Sequence, residues 1–149
     1  MKIEEEIQQS KFKSEYHKLA INIIYTANWI TYQDSHTFKE FNLTLPQFNV
    51  LRILRGRHPE PATVNYICER MLDRTSNASR LVDKLLKKGF VERRICPEDR
   101  RSVDILITEE GLNLLNQLEP EITKSENRLK TISFDEAKSV NALLDKIRG

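Results

Sequence analysis

The sequence predicts a mostly helical, α+β protein, with helices along most of the chain and one short β-hairpin in its second half. Three observations carry that expectation. Apolar residues recur every three or four positions through most of the 149 residues, and only four glycines interrupt them. Residues 90–95 and 102–107 have β character instead, the second run alternating Val103, Ile105 and Ile107 against Ser102, Asp104 and the less polar Leu106. Directly ahead of this hairpin lie a short helical stretch, a turn and an amphipathic helix. Helix, short turn, helix and hairpin together make a winged helix-turn-helix.

Residues 1–10 are charged and read as a frayed lead-in. From Phe12 the positions Phe12, Tyr16, Leu19, Ile23, Ala27 and Ile30 define one helix face, which Ala20, Ile24, Trp29 and Tyr32 widen. That stripe exceeds what a small domain can cover, so a second subunit is expected against it. Residues 38–43 read as a connector. Thr44, Leu45, Pro46 and Gln47 resemble a capping box with proline in the first turn, opening a helix to Arg57 with Phe48, Leu51 and Leu54 in the core and Val50 and Ile53 beside them. His58, Pro59, Glu60 and Pro61 stop it. An extended piece, residues 62–64, leads to Asn65 as N-cap of a helix over residues 66–72, then a turn over residues 73–75.

The next helix takes Thr75 or Ser76 as N-cap, carries Ala78, Leu81, Val82, Leu85 and Leu86 as its apolar stripe, and ends at Gly89, where a left-handed residue is wanted. After the hairpin, Thr108 caps a helix with Leu112, Leu115, Leu118 and Ile122 on one face, joined by Leu114 and Leu129; Pro120 is expected to bend or interrupt it. Ser133 and Glu136 form a second capping box ahead of Ala137, Val140, Leu143, Leu144 and Ile147. The organisation expected is a single domain over residues 1–149. The winged unit spans residues 44–108 of it, and residues 5–32 and 112–149 serve as dimerisation helices.

Charge is concentrated. Between Arg74 and Arg101 nine cations face four anions, so this segment is net +5 while the whole chain is +2. A locally basic element on a nearly neutral chain suggests a polyanion site rather than general stickiness. No apolar run approaches a membrane span, and the polar N-terminus lacks the apolar core of a signal peptide, so a cytoplasmic protein with no membrane partner is expected. Cys68 and Cys96 are too few for a disulfide framework and lack metal-ligand spacing. His17, His36 and His58 fall on separate segments, and no nucleophile–base, glycine-rich or paired-carboxylate arrangement suggests an enzyme. No cofactor or metal is expected.

A recognition helix presents its N-terminal turns to the major groove. That directs Ser76, Asn77, Ser79 and Arg80 towards bases or phosphates of double-stranded DNA, with Lys84 further along. Arginine offers paired donors to guanine and asparagine can bond adenine twice. The bland readings are that Ser76 only caps the helix and that Arg80 pairs with Asp83. Arg94 on the first strand and Asp99, Arg100 and Arg101 at the hairpin tip complete the candidate surface. Asp99 is placed to hold Arg101 by a bidentate ion pair, so that the arginine enters a minor groove already ordered. Cys68 reads as a small core residue, whereas Cys96, near Arg93 and Arg94, leaves a redox-sensing alternative open. A winged-helix module that docks a protein is the other alternative.

The runs SRLVDKL (residues 79–85), KGFVER (88–93), PEDRRS (97–102) and LITEEG (106–111) resemble the MarR family of bacterial winged-helix regulators. The resemblance covers most of the chain, and the DRRS signature in its strand–turn–strand setting is its most specific part. It implies a homodimer with interlocked terminal helices that binds a palindromic operator, and repression relieved by a small aromatic or phenolic effector. An effector pocket would lie where the long first helix and the helices opened at Thr44 and Thr108 meet the winged unit, with Tyr16, Tyr25, Trp29, Tyr32 and Phe48 nearest. One departure stands out. The turn between the two short helices usually has glycine followed by an apolar residue, and this chain has Leu72 and Asp73 there, which implies a longer first helix.

Overall fold

The computed structural model describes residues 1–95 and 103–149. In order these form α1 (Ile3–Glu6), α2 (Glu15–Glu40), α3 (Leu45–Arg57), α4 (Val64–Arg70), α5 (Ala78–Lys87), β1 (Val91–Ile95), β2 (Val103–Ile107), α6 (Glu109–Arg128) and α7 (Phe134–Arg148). The chain divides into two compact units, Met1–Leu45 and Pro46–Gly149. Among the described residues, no helix is long and apolar enough to cross a membrane.

In the first unit the lead-in is more ordered than its charge suggests. Ile3 is buried, Lys18 Nζ donates to Glu4 Oε1 at 2.5 Å, and the Tyr25 hydroxyl donates to Glu6 Oε2 at 2.6 Å. These bonds tie α1 to α2. Ser14 caps α2 by accepting from the His17 N–H. The helix then runs on through residues 38–40, where a connector was expected, because Phe38 continues the apolar face and is itself buried. Asn42, with φ +54°, turns the chain so that the Leu43 N–H reaches the Phe38 carbonyl at 2.8 Å.

The core of the second unit is an interlock of short elements. Val50, Leu51 and Leu54 of α3, Ile67 of α4, Val82 and Leu85 of α5, Val91 and Ile105 of the hairpin, and Leu115 and Leu118 of α6 are all essentially inaccessible to solvent. Each such side chain contributes about 1.5–3 kcal/mol relative to exposure. β1 and β2 pair antiparallel with Val91 opposite Ile107 and Ile95 opposite Val103. Ile105 and Ile107 face the core as their alternation requires, and Val103 at the open end is exposed. Ala62 adds a bridge to Ile105, two 2.9 Å backbone bonds that lay the start of the helix-turn-helix along β2.

Several local expectations are corrected. The cap of α4 is Thr63 rather than Asn65, its hydroxyl accepting from the Tyr66 N–H. The helix also stops earlier, at Arg70, with Met71 extended. Ile67 and Met71, four apart, take the inner stripe, so Cys68 turns outward and is exposed. α6 is not interrupted at Pro120, which lies on the exposed face where water can satisfy the freed carbonyl of the preceding turn. Thr108 and the Ser133–Glu136 capping box open α6 and α7 as expected. Gly89, with φ +76°, ends the α5 segment in the left-handed conformation.

Candidate nucleic-acid interface

The surface is built on α5, whose placement depends on bonds from both sides. Asp73 organises the turn ahead of it: one carboxylate oxygen accepts from the Thr75 backbone at 2.9 Å and the Thr75 hydroxyl at 2.6 Å, the other from the Ser76 hydroxyl at 3.0 Å. The hydrogen bonds from Thr75 and Ser76 hold this carboxyl below its ordinary pKa. Among the described residues, positive φ occurs at Gln8, Asn42, Gly89 and Gly149, none of them in this turn. The carboxylate therefore does by hydrogen bonding what a glycine would do by backbone freedom.

With Thr75 and Ser76 engaged by Asp73, the N-cap of α5 falls to Asn77. Its side-chain oxygen accepts from the Arg80 N–H at 3.0 Å, leaving its amide hydrogens directed elsewhere. Two buried amides of α3 fix the helix from behind. Asn49 Oδ1 accepts from the Leu72 N–H at 2.9 Å just before the turn, and Gln47 Oε1 accepts from Lys88 Nζ at 3.2 Å at the far end of α5. Burial, with Lys84 nearby, lowers the Lys88 pKa from its ordinary value. Lys88 is thus drawn inward, away from the polyanion surface in which its charge was counted.

The hairpin is fastened to the same helix by an ion pair between Arg93 and Asp83. That pair occupies the acid that Arg80 was a candidate to meet, and among the described residues the Arg80 guanidinium has no bonded partner. Thr108 closes the other side, its hydroxyl donating to the Gly89 carbonyl at 2.7 Å and its N–H to the Phe90 carbonyl at 3.1 Å. α6 approaches so closely here that a Cβ on Gly111 would run into the Phe90 carbonyl oxygen, and would meet Ile107 Cγ1 at 2.8 Å. This accounts physically for glycine in the LITEEG run.

Ser76, Asn77, Arg80 and Lys84 come together around an open groove of about 300 Å³, with Leu81 and Pro46 as its apolar lining. Asn77, Arg80, Lys84 and Lys87, at steps of three and four, form one exposed polar and basic stripe. Ser79 is exposed on α5 but outside the groove lining. Arg94 is exposed on β1 and ion-paired with Glu92 of the same strand. Asp99, Arg100 and Arg101, with Cys96, lie outside the described residues. Of the aromatic residues considered for a ligand pocket, Tyr16, Trp29 and Tyr32 are exposed on α2. Tyr25 is half-buried with its hydroxyl on Glu6, which raises its pKa, and Phe48 is buried in the second unit beneath Arg52. Among the described residues, no group of three or more His, Cys, Asp or Glu side chains is placed to hold a metal.

Sequence reasoning did not anticipate Gln47, Asn49 or the Asp83–Arg93 pair. The spacing of Asp73 from Thr75 and Ser76 was a readable turn signal. Nothing in the pattern distinguishes a buried amide on α3 from a solvated one.

A two-helix turn with a hairpin fastened to its second helix, that helix showing an exposed basic stripe, defines a winged helix-turn-helix protein. Comparison with known proteins agrees. A MarR family model matches residues 41–102. The chain is 29% identical over 119 residues to the HTH-type transcriptional regulator MgrA of Staphylococcus aureus, covering 78% of this chain and 77% of MgrA. It is 30% identical to a MarR transcription factor of known structure from Planctomyces limnophilus, with a TM-score of 0.70 over 91% of this chain and 98% of the other. A mutant MarR from E. coli complexed with operator DNA shares the fold at a TM-score of 0.79 and 23% identity, over 93% of this chain and 99% of that one. The chain belongs to the MarR family of transcriptional regulators.

Proposed function

We propose that the protein is a homodimeric, sequence-specific regulator that reads a palindromic site in double-stranded DNA with α5 and flanks it with its wing. The observation that carries the reading is Arg80, without a bonded partner among the described residues, beside Asn77 and Lys84 on a helix that buries Ala78, Val82 and Leu85 on its other side. Arg80 and Asn77 have the donors to discriminate bases in the major groove. Ser76, Ser79, Lys84, Lys87 and Arg94 serve as phosphate contacts. The fold shared with the E. coli MarR that was solved with operator DNA supports duplex DNA as the partner. Asp99, Arg100 and Arg101 belong to the proposal on sequence grounds, as the basic wing tip.

The homodimer is supported by the apolar residues that α7 leaves exposed, Phe134, Val140, Leu143 and Ile147. Repression released by a small aromatic effector follows the family, with Tyr16, Tyr25, Trp29, Tyr32 and Phe48 as the residues to test. Selecting duplexes from a random-sequence pool tests the central reading. An inverted repeat should emerge, with affinity falling steeply as salt rises, by about 0.9 in log–log slope per phosphate contact. Recovery of no preferred sequence would reject it, and weak salt dependence would favour a protein-docking role.

A further inference from the structure

Away from the recognition helix, two arginines share one aromatic ring. The Arg57 guanidinium carbon lies 4.7 Å from the centroid of the Tyr66 ring and that of Arg70 lies 3.5 Å from it. Each is also tied to backbone: Arg57 Nε donates to the Pro61 carbonyl at 2.6 Å and Arg70 Nη1 to the Tyr66 carbonyl at 3.2 Å. Two like charges are thus held close together at the junction of α3 and α4, with both arginines exposed. Among the described residues the acid ion-paired with them is Glu69, at 3.3 Å from Arg70 and well exposed itself. Among the described residues, both terminal nitrogens of Arg57 have no bonded partner.

We propose that Arg57 and Arg70, ordered on Tyr66, form a second and sequence-independent contact to the phosphates of duplex DNA. This rests on the DNA-binding reading above and extends it beyond α5 and the wing. In a helix-turn-helix the first helix crosses the sugar–phosphate backbone, and α4, which carries Tyr66 and Arg70, is that helix. A guanidinium presents a planar fork that fits a phosphate, and stacking on the ring removes in advance much of the rotamer freedom that a long side chain loses on binding. Glu69 then acts as a weak resident competitor that the phosphate displaces.

Binding of the full-length chain and its variants to two 30-base-pair duplexes, one selected for tight binding and one of random sequence, tests this across a salt series. Arg57→Ala and Arg70→Ala should each weaken both duplexes by similar factors, roughly threefold to tenfold, and reduce the log–log salt slope by about 0.9. Glu69→Gln should strengthen binding to both, a gain that misfolding cannot produce. An unchanged slope in the arginine variants, a loss confined to the selected duplex, or no gain from Glu69→Gln overturns the contact. If the unaltered chain binds neither duplex, the DNA reading falls and this contact falls with it. If it binds the selected duplex and loses it on Arg80→Ala while Arg57→Ala and Arg70→Ala change nothing, only this contact is rejected.

Discussion

α5 and α7 are both amphipathic helices with basic residues in their last turns, but their apolar stripes meet opposite fates. In α5, Ala78, Val82 and Leu85 are buried to within 2% of completely, against the rest of the winged unit. In α7 no residue is buried, and Phe134, Leu143 and Ile147 are each more than half exposed. The sequence patterns alone would not separate them. What separates them is the presence of partners: α5 packs against α4 and the hairpin, with α3 bonded to Leu72 and Lys88 on either side of it. A helix anchored on its apolar side has only its polar face left to offer, and α5 offers a basic stripe. A helix whose apolar side is bare offers that side, which suits another copy of the chain.

Core truncation should break the comparison most visibly. Leu85→Ala should cost about 2–5 kcal/mol of stability, through lost burial and the cavity left behind, whatever the protein concentration. In the proposed homodimer the same truncation at Leu143 should matter only through the dimer, so its effect on Tm should vanish on dilution below the dimer dissociation constant. A Leu143→Ala variant destabilised equally at all concentrations would mean that α7 is anchored within its own chain.

Next in size is Gly111→Ala. The added methyl meets the Phe90 carbonyl backbone, which cannot rotate away, so urea denaturation should show a loss of about 1–3 kcal/mol. Because Phe90 adjoins the end of α5, DNA affinity should fall along with stability. Wild-type stability in this variant would mean that α6 and Phe90 stand further apart than described.

Asn77 separates anchoring from reading within one residue. Asn77→Ala should lose the cap, about 1 kcal/mol, and weaken DNA binding as well. Asn77→Ser keeps a capping oxygen but no amide donors, so stability should be restored while base preference at one operator position relaxes. Full recovery of both properties by serine would make Asn77 a cap alone.

Much of this arrangement was legible in the residues. Periodicity located the helices, Thr108 and Ser133 marked the starts of α6 and α7, and Gly89 marked the end of α5. The alternation of Val103, Ile105 and Ile107 gave the buried side of β2. Failures occurred where a side chain had two possible uses. Thr75 and Ser76 are good caps, but Asp73 engages both hydroxyls and the cap moves on to Asn77. Thr63 displaces Asn65 because the Ala62–Ile105 bridge fixes where extended chain gives way to helix. Gln47 and Asn49 are polar residues that the fold buries because each accepts a bond that positions α5, and no local pattern encodes those distant donors. Of the nine candidate DNA contacts, Ser76, Asn77, Arg80 and Lys84 line one groove, Ser79 is exposed outside it, Arg94 is engaged with Glu92, and Asp99, Arg100 and Arg101 lie outside the described residues.

The central claim is that α5 reads sequence through its first turns while its later cations add charge. The most direct measurement is the affinity of Arg80→Ala and Lys87→Ala for a panel of duplexes carrying every single-base change in the selected site. Arg80→Ala should lose about 1–3 kcal/mol on the preferred duplex and flatten discrimination at one position, while Lys87→Ala weakens all duplexes alike. A uniform loss with Arg80→Ala, or discrimination that flattens with Lys87→Ala instead, would contradict this placement of the recognition helix.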